Sequence, residues 1–554
     1  MTDSPTRAAA KRLLGSIPLT AEVAQRLRPG GGLPIKGYSV DRLECSIPGW
    51  VEAVQKARRR PPASARRRVL VIGYLRWWLE YASALGLLLS GLGHEVDLAF
   101  LPFQRWSEDT LAFDVRRQRA YLRKVLQPLG PLVGIVDLDG AGGSTLPPDL
   151  DGAIHHLSRI DVQYTGLRER INFDGDTPDA QLLGLRLQRN RKAAQAALRL
   201  MRSGAYDVVL IPNGSILEFG AVYQAARSAG VRTVTYEFGE QRERMWIAQD
   251  DQVMRLDTAA LWAARGGQPL MASEIQSLQE LYRARRGGTL WANFSRLWQP
   301  GEVQGPQTVR QRLGLDPHRT VVLLCTNVVG DSLALGRQIF TEGMAGWLRQ
   351  TVSHFADRPE AQLVVRVHPA EKILVGDPSV DIVHEALPDL PRHVIVVPPE
   401  SEINTYDLME VADVGLAYTT TVGMEMAMAG IPVVVSGRAH YRGKGFTYDP
   451  STLDEYLTVI DGLLASNTGR RLSAQQVELA QRYAYLFFFE YPFVFPWHLV
   501  HFWDDIAARP LQWVLEPANT LRYGRALAAL LGEEIDWGRR SGGAAEGETG
   551  DNRD

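Results

Sequence analysis

Short apolar runs bounded by glycine, proline or charge recur along the chain from residue 69 onward. Residues 69–73 (VLVIG) are followed by a helix-length stretch from about Arg76 to Ser90, then by residues 91–102 (GLGHEVDLAFLP). A strand, a helix, a glycine turn and a second strand make a βαβ unit, which implies a parallel sheet. The rhythm repeats at residues 133–138 (VGIVDL) and 206–212 (YDVVLIP), with a helical stretch over 217–229 before residues 231–236 (VRTVTY). A second series begins at 320–325 (TVVLLC) and continues through 363–367 (LVVRV), 394–397 (VIVV), 414–417 (VGLA) and 431–435 (IPVVV). Most of these runs precede helix-like sequence.

The pattern divides the chain. Residues 1–65 form an N-terminal extension and basic linker. Residues 66–262 read as one doubly wound α/β lobe, 263–318 as a helical connector and 319–485 as a second α/β lobe. Residues 486–540 are a C-terminal helical segment expected to pack back on the first lobe, and 541–554 (SGGAAEGETGDNRD) a disordered tail. The linker 56–68 (KARRRPPASARRR) reads as solvated, with a polybasic contact to anionic lipid as the alternative. Open parallel sheets bind ligands beyond the carboxyl ends of their strands, so residues of interest should follow strands directly. Two such lobes in tandem are expected to face one another across a cleft.

Several groups meet that rule. The run 363–367 contains Arg366 and leads into His368-Pro369-Ala370-Glu371, where an imidazole can offer a ring N–H or a positive charge to a phosphate. The run 414–417 leads into Tyr418-Thr419-Thr420-Thr421-Val422-Gly423-Met424-Glu425. Hydroxyls before a helix are ordinary N-caps, but three threonines and a glycine at a helix start also suit a phosphate. Glu425 in the first turn suits a capping arrangement or a ribose hydroxyl. The run 431–435 delivers residues 437–446 (GRAHYRGKGF), a glycine-punctuated loop with three cations, Tyr441 and Lys444 among its residues. In the first lobe Asn213-Gly214-Ser215 and Glu237-Phe238-Gly239-Glu240 follow strands, as do Asp137 and Asp139.

Taken in order, RVHPAE, TTTVGMEMAMAGIPVVV and GRAHYRGKGFTYD resemble the bacterial capsule polysaccharide biosynthesis family, which includes transferases that add Kdo to capsule lipids. CTNVVGDS (325–332) is similar to that family's loop after the first strand of the nucleotide lobe, and the resemblance runs over about 205–450. It implies a GT-B architecture, two Rossmann-like lobes, and transfer of a sugar from a nucleotide-activated donor, with CMP favoured, to a polysaccharide or glycolipid. His368 and the Thr420/Thr421 pair would hold the donor phosphate, with Asn327, Arg366, Pro369, Gly423, Glu425, Tyr441 and Lys444 around it. The resemblance places Asn213, Gly214 and Glu240 on the acceptor side, with Glu237 and His368 catalytic. Where the family has Ser-Thr, this chain has Thr-Thr, which keeps both hydroxyls. It has one transferase module where the best-known Kdo transferases join two, which leaves the sugar open.

Composition excludes other classes. The 61 basic and 63 acidic residues leave a net charge of −2 and no basic field for nucleic acid. The two cysteines sit in no metal or redox spacing, and the eleven histidines form no zinc motif. No cofactor and no metal is expected beyond the nucleotide-sugar co-substrate. No window gives the roughly 20 apolar residues of a membrane span, and the aromatic stretch 485–503 reads as core. The N-terminus lacks a signal sequence, so a cytoplasmic protein is expected, with peripheral contact at the inner membrane face left open. A CDP-polyol phosphotransferase of teichoic-acid type, a sugar-nucleotide epimerase and a non-catalytic assembly scaffold are the alternatives.

Overall fold

The computed structural model describes residues 5–27, 35, 37–58, 66–139, 145–239, 241–287, 303–373, 376–466 and 471–540. Chain contacts divide it into two units. Unit 1 comprises Met1–Val162, Asn172–Met254 and Phe493–Ile535; unit 2 comprises Gln163–Ile171, Arg255–Pro492 and Asp536–Asp554.

Unit 1 is built on a seven-stranded sheet. Its strands are β1 (Arg68–Gly73), β2 (Glu95–Phe100), β3 (Gly134–Asp137), β4 (Val208–Pro212), β5 (Arg232–Phe238), β6 (Arg244–Gln249) and β12 (Phe493–Val494), in the order β12-β6-β5-β4-β1-β2-β3. From β3 to β5 the sheet is parallel, while β6 and β12 add antiparallel at one edge. Unit 2 holds β7 (Thr320–Cys325), β8 (Ala361–Arg366), β9 (Val394–Val397), β10 (Val414–Ala417) and β11 (Val433–Val435), all parallel in the order β11-β10-β7-β8-β9. Each unit thus repeats the Rossmann strand order 3-2-1-4-5, which reverses between β1 and β4 in unit 1 and between β7 and β10 in unit 2. These are the switch points where crevices open at the carboxyl ends. Two Rossmann-like units in tandem are the architecture of GT-B proteins.

The central strands are largely apolar because helices cover the sheets: all six residues of β7 and all six of β8 are buried. In unit 2, Val322, Leu324, Leu363 and Val365 pack with Trp347, Leu348 and Phe355 of the helix Met344–Phe355 into one core.

Three features depart from the sequence reading. The middle segment of unit 1 ends at Met254 where the sequence reading ran the first lobe to 262, and β6 returns antiparallel to β5 where no strand was expected. The helices Ala272–Arg286 and Pro306–Leu313, read as connector, belong to unit 2. The aromatic stretch supplies a buried π-turn, Leu486–Glu490, to unit 2 and the strand β12 to unit 1. Among the described residues no helix is long and apolar enough to cross a membrane. Residues 59–65 of the basic linker, 140–143 of the GAGG run, Glu240 and the tail from 541 lie outside the described residues.

Candidate functional site

In unit 2, three neighbouring strands end in loops that are tied together by their own polar atoms. Beyond β8, the His368 backbone N–H donates to Thr326 Oγ1, beyond β7, at 2.9 Å. One residue on, Asn327 Oδ1 accepts the Thr419 N–H, beyond β10, at 3.2 Å. His368, Thr326, Asn327 and Thr419 therefore form one continuous constellation across the switch point, with Thr420 and Thr421 next in line.

The state of His368 follows from its contacts. Its Nδ1 accepts the Ala370 N–H at 3.2 Å, capping the short 3₁₀ turn Pro369–Lys372, so a neutral ring carries its proton on Nε2. Burial, with the Arg366 charge beside it, pushes the pKa down to about 4. Of the two modes open from sequence, only the N–H donor operates near neutral pH. Pro369 is buried and sets the turn.

The threonines divide the work. Thr420 Oγ1 accepts from the Val422 N–H at 3.4 Å. Thr421 is the N-cap of the helix Val422–Met428, yet its side chain makes no capping bond. Its half-buried hydroxyl is available to an anion in a way that a working cap would not be.

Tyr441 is fully buried and donates to the Thr420 carbonyl at 2.8 Å, so it braces the threonine loop instead of facing a ligand. This brace explains Gly423: a Cβ there would lie 2.3 Å from Tyr441 Oη and 2.9 Å from Ala417 Cβ. Gly423→Ala should therefore release the tyrosine and lower stability by about 1–3 kcal/mol, the usual cost of overpacking. The double variant Gly423→Ala/Tyr441→Phe should recover part of that loss in thermal melts, because removing Oη makes room. No recovery would mean that Tyr441 is not the obstacle.

Other residues singled out from sequence are engaged elsewhere. Glu425 is an ion-pair partner: Arg285 of the helix Ala272–Arg286 donates Nε to Glu425 Oε1 at 2.7 Å, and both side chains are about 1% exposed. Its carboxylate is occupied by a cation of its own unit. Of the loop cations, Arg442 is spent on the carbonyls of Val435, Asp449 and Pro450. Lys444 is half-buried over the Tyr483 ring, 5.9 Å from its centroid, and burial lowers its pKa. Arg366 is 1% exposed and donates Nη1 to the Pro398 carbonyl at 2.8 Å and Nε to Thr405 Oγ1 at 3.4 Å. Its pKa falls to about 10 through burial, so it remains a cation beside His368.

That Arg366 bond to Pro398 shapes a cavity that sequence reasoning missed. About 330 Å³ of a half-open cavity is lined by Val328 and Val329 after β7, Glu371 and Pro378 after β8, and Pro399 and Glu400 after β9. Glu371 is committed to Ser379, accepting from its N–H at 2.9 Å and its hydroxyl at 2.6 Å. Glu400 was visible as the residue just past VIVVPP, but a carboxylate after prolines carried no motif.

Unit 1 has its own strand-end cluster. β4 and β5 are adjacent and parallel, so Asn213 and Glu237 emerge side by side. Asn213 Nδ2 donates to Glu237 Oε2 at 3.1 Å, and the Phe238 N–H donates to Oε1 at 3.2 Å. These bonds favour the ionised form, yet burial outweighs them and raises the Glu237 pKa to about 7. Asn213 and Gly214 both have positive φ, 58° and 77°, and a Cβ on Gly214 would meet Thr235 Cγ2 at 2.5 Å. The tight turn holds Asn213 beneath the carboxylate. Asp137 is paired with Arg119 and Arg123, and Asp139 with Arg119 and Lys192, which makes both structural. Among the described residues no group of three or more His, Cys, Asp and Glu side chains is arranged to hold a metal ion.

Residues 302–461, which contain the whole His368–Thr326–Asn327–Thr419 constellation, match the family model described as capsule polysaccharide biosynthesis protein. No curated protein matches the chain. Among solved structures, the chain is similar to a Thermosulfurimonas dismutans KpsC, beta Kdo 2,4 transferase. That similarity has 18% identity and a TM-score of 0.33, covering 50% of this chain and 79% of that one. A beta Kdo 2,7 transferase of the same KpsC is similar at 14% identity and TM-score 0.29, covering 52% and 80%. A UDP-GlcNAc 2-epimerase from Neisseria meningitidis is similar at 12% identity and TM-score 0.24, covering 76% and 99%.

Proposed function

We propose that the protein is a glycosyltransferase of capsule biosynthesis that takes a sugar from a nucleotide-activated donor, a CMP-sugar in our reading, and passes it to a polysaccharide or glycolipid acceptor. The observation that supports this reading most is the polar constellation of unit 2, which lies wholly within the family match. A neutral His368 with its proton on Nε2, an uncommitted Thr421 hydroxyl and Thr420 supply uncharged donors to a departing phosphate. Such donors are fixed before reaction and stabilise leaving-group charge as it grows. The neighbouring cavity, with Glu400 on its wall, has room for the nucleoside, whose ribose hydroxyls a carboxylate can accept. Glu237 is the base that takes the acceptor proton. No step in this scheme asks for a metal, so transfer is expected to survive EDTA.

A thermal-shift series with CMP, CDP, UDP and GDP tests the donor, since a ligand bound to the native state raises stability by mass action. We expect the largest shift with a cytidine nucleotide. An equal shift with UDP overturns the CMP assignment, and no shift with any nucleotide overturns the reading as a whole. His368→Ala should lower kcat/KM at least about tenfold, on the order of 1.4 kcal/mol. Because the ring is already neutral, affinity for a donor phosphodiester should stay flat from about pH 5.5 to 8, where an ordinary histidine would titrate. A rise in affinity on acidification through that range would show that the imidazolium, not the N–H, binds.

A further inference from the structure

The N-terminal helices Pro5–Ser16 and Thr20–Arg26 pack against the helix Ala112–Leu126 and leave large apolar side chains outside. Small residues, Gly15 and Ala21, and a set of polar contacts face inward. Lys11 Nζ meets Asp114 Oδ2 at 2.7 Å, and Arg116 of the helix Ala112–Leu126 pairs with Glu22 and donates to the carbonyls of Gly15 and Ile17. Gln25 is buried and accepts from Arg117. Their outward face carries the large apolar side chains. Leu13, Leu14, Ile17, Leu19, Val23 and Leu27 are all exposed, Leu13 by 67%, Leu19 by 68% and Leu27 by 75%. Six of the fourteen exposed large apolar side chains among the described residues thus fall within fifteen consecutive positions. Scattered exposed leucines are ordinary, but a concentration of this kind marks an interaction surface.

Charge identifies the partner. Residues 5–27 contain four basic side chains and one acidic one. The acid, Glu22, is neutralised by Arg116, while Arg12 and Arg26 are exposed beside the leucines. Leucines flanked by unopposed arginines fit an interface whose interior is hydrocarbon and whose rim is anionic. We infer that this helical pair docks the protein onto a membrane surface bearing anionic lipid, as a peripheral contact. A protein partner would equally bury leucines, but it would not generally need the rim to be basic. The docking surface is independent of the transfer reaction, since no residue of it belongs to either strand-end cluster.

The experiment is co-sedimentation of the full chain with vesicles containing phosphatidylglycerol or made of phosphatidylcholine alone. Two variants accompany it, Leu13→Glu/Leu19→Glu/Leu27→Glu and Arg12→Glu/Arg26→Glu. All five positions are exposed, so melting temperatures should match the wild type, and nucleotide-induced thermal shifts should too. The wild type should bind the anionic vesicles more strongly. The leucine variant should lose binding to both, and the arginine variant should lose only the preference for phosphatidylglycerol, each by about tenfold. A leucine variant that binds as the wild type does would overturn the inference and point to a contact elsewhere. So would light scattering that shows a dimer broken by the leucine substitutions, with no vesicle binding in the wild type.

Discussion

Glu237→Gln should lower transfer by roughly 10² to 10⁴-fold while leaving nucleotide binding at its wild-type affinity. The amide keeps the size of the side chain and can still meet Asn213 and the Phe238 N–H, but it cannot take a proton. With a pKa of about 7, Glu237 is close to half ionised at neutral pH, the range in which a general base works best. The rate should therefore rise with pH through about 7 in the wild type, and single-turnover assays of the variant should show that limb gone. The same shift carries a stability signature. A carboxyl whose folded pKa lies above its unfolded value contributes stability that is fully present below the unfolded value of 4.5 and lost as pH rises through about 7. Above that range the wild type carries a buried charge that the glutamine variant lacks. Glu237→Gln should then be the more stable protein at pH 8, by up to ~3 kcal/mol, with no difference at pH 4. Undiminished transfer by the variant would make Glu237 a turn residue.

Glu425→Ala is expected to destabilise unit 2 by about 3–5 kcal/mol, because it strands the Arg285 guanidinium in the interior without its counter-charge. Calorimetric melts should show the loss, and the paired change Glu425→Met/Arg285→Met should restore most of it. Arg286 and Glu410 form a more exposed pair one residue along the same helix, and removing Glu410 should cost no more than about 1 kcal/mol. This contrast separates burial from mere ion pairing. Should Glu425→Ala instead melt normally and fail to bind nucleotide, its carboxylate would be a ligand group after all.

Much of this was legible in the chain because parallel strands covered on both faces read as unbroken apolar runs. VVLIP, TVVLLC and LVVRV each mark a strand, and the residues just past them are where the two clusters form. RMWIAQ was missed as a strand because it is flanked by charge and placed antiparallel near the sheet edge, where no βαβ rhythm announces it. The site was legible by position more than by role. His368, Thr420, Asn327, Asn213 and Glu237 all lie at strand ends, yet nothing in sequence distinguishes a glutamate aimed at a ligand from Glu425, whose partner comes from 140 residues upstream. Tyr441 and Arg442 show the same ambiguity, since a loop rich in aromatic and basic groups can spend them all on its own carbonyls. Assigning those roles required distances.

The bridge from Asn327 to Thr419 has an electrostatic side as well. It crosses the point where the strand order reverses, so its acceptor oxygen sits in the floor of the crevice. An aspartate at 327 would offer the same oxygen to the Thr419 N–H and hold the two loops together equally well. It would also install a fixed negative charge beneath any anion that settles there, in a region where little water is present to screen it. An amide holds the loops together while leaving the floor neutral. On the proposed reading of an anionic donor, the residue type at 327 thus suits the sign of the ligand as well as the geometry of the scaffold.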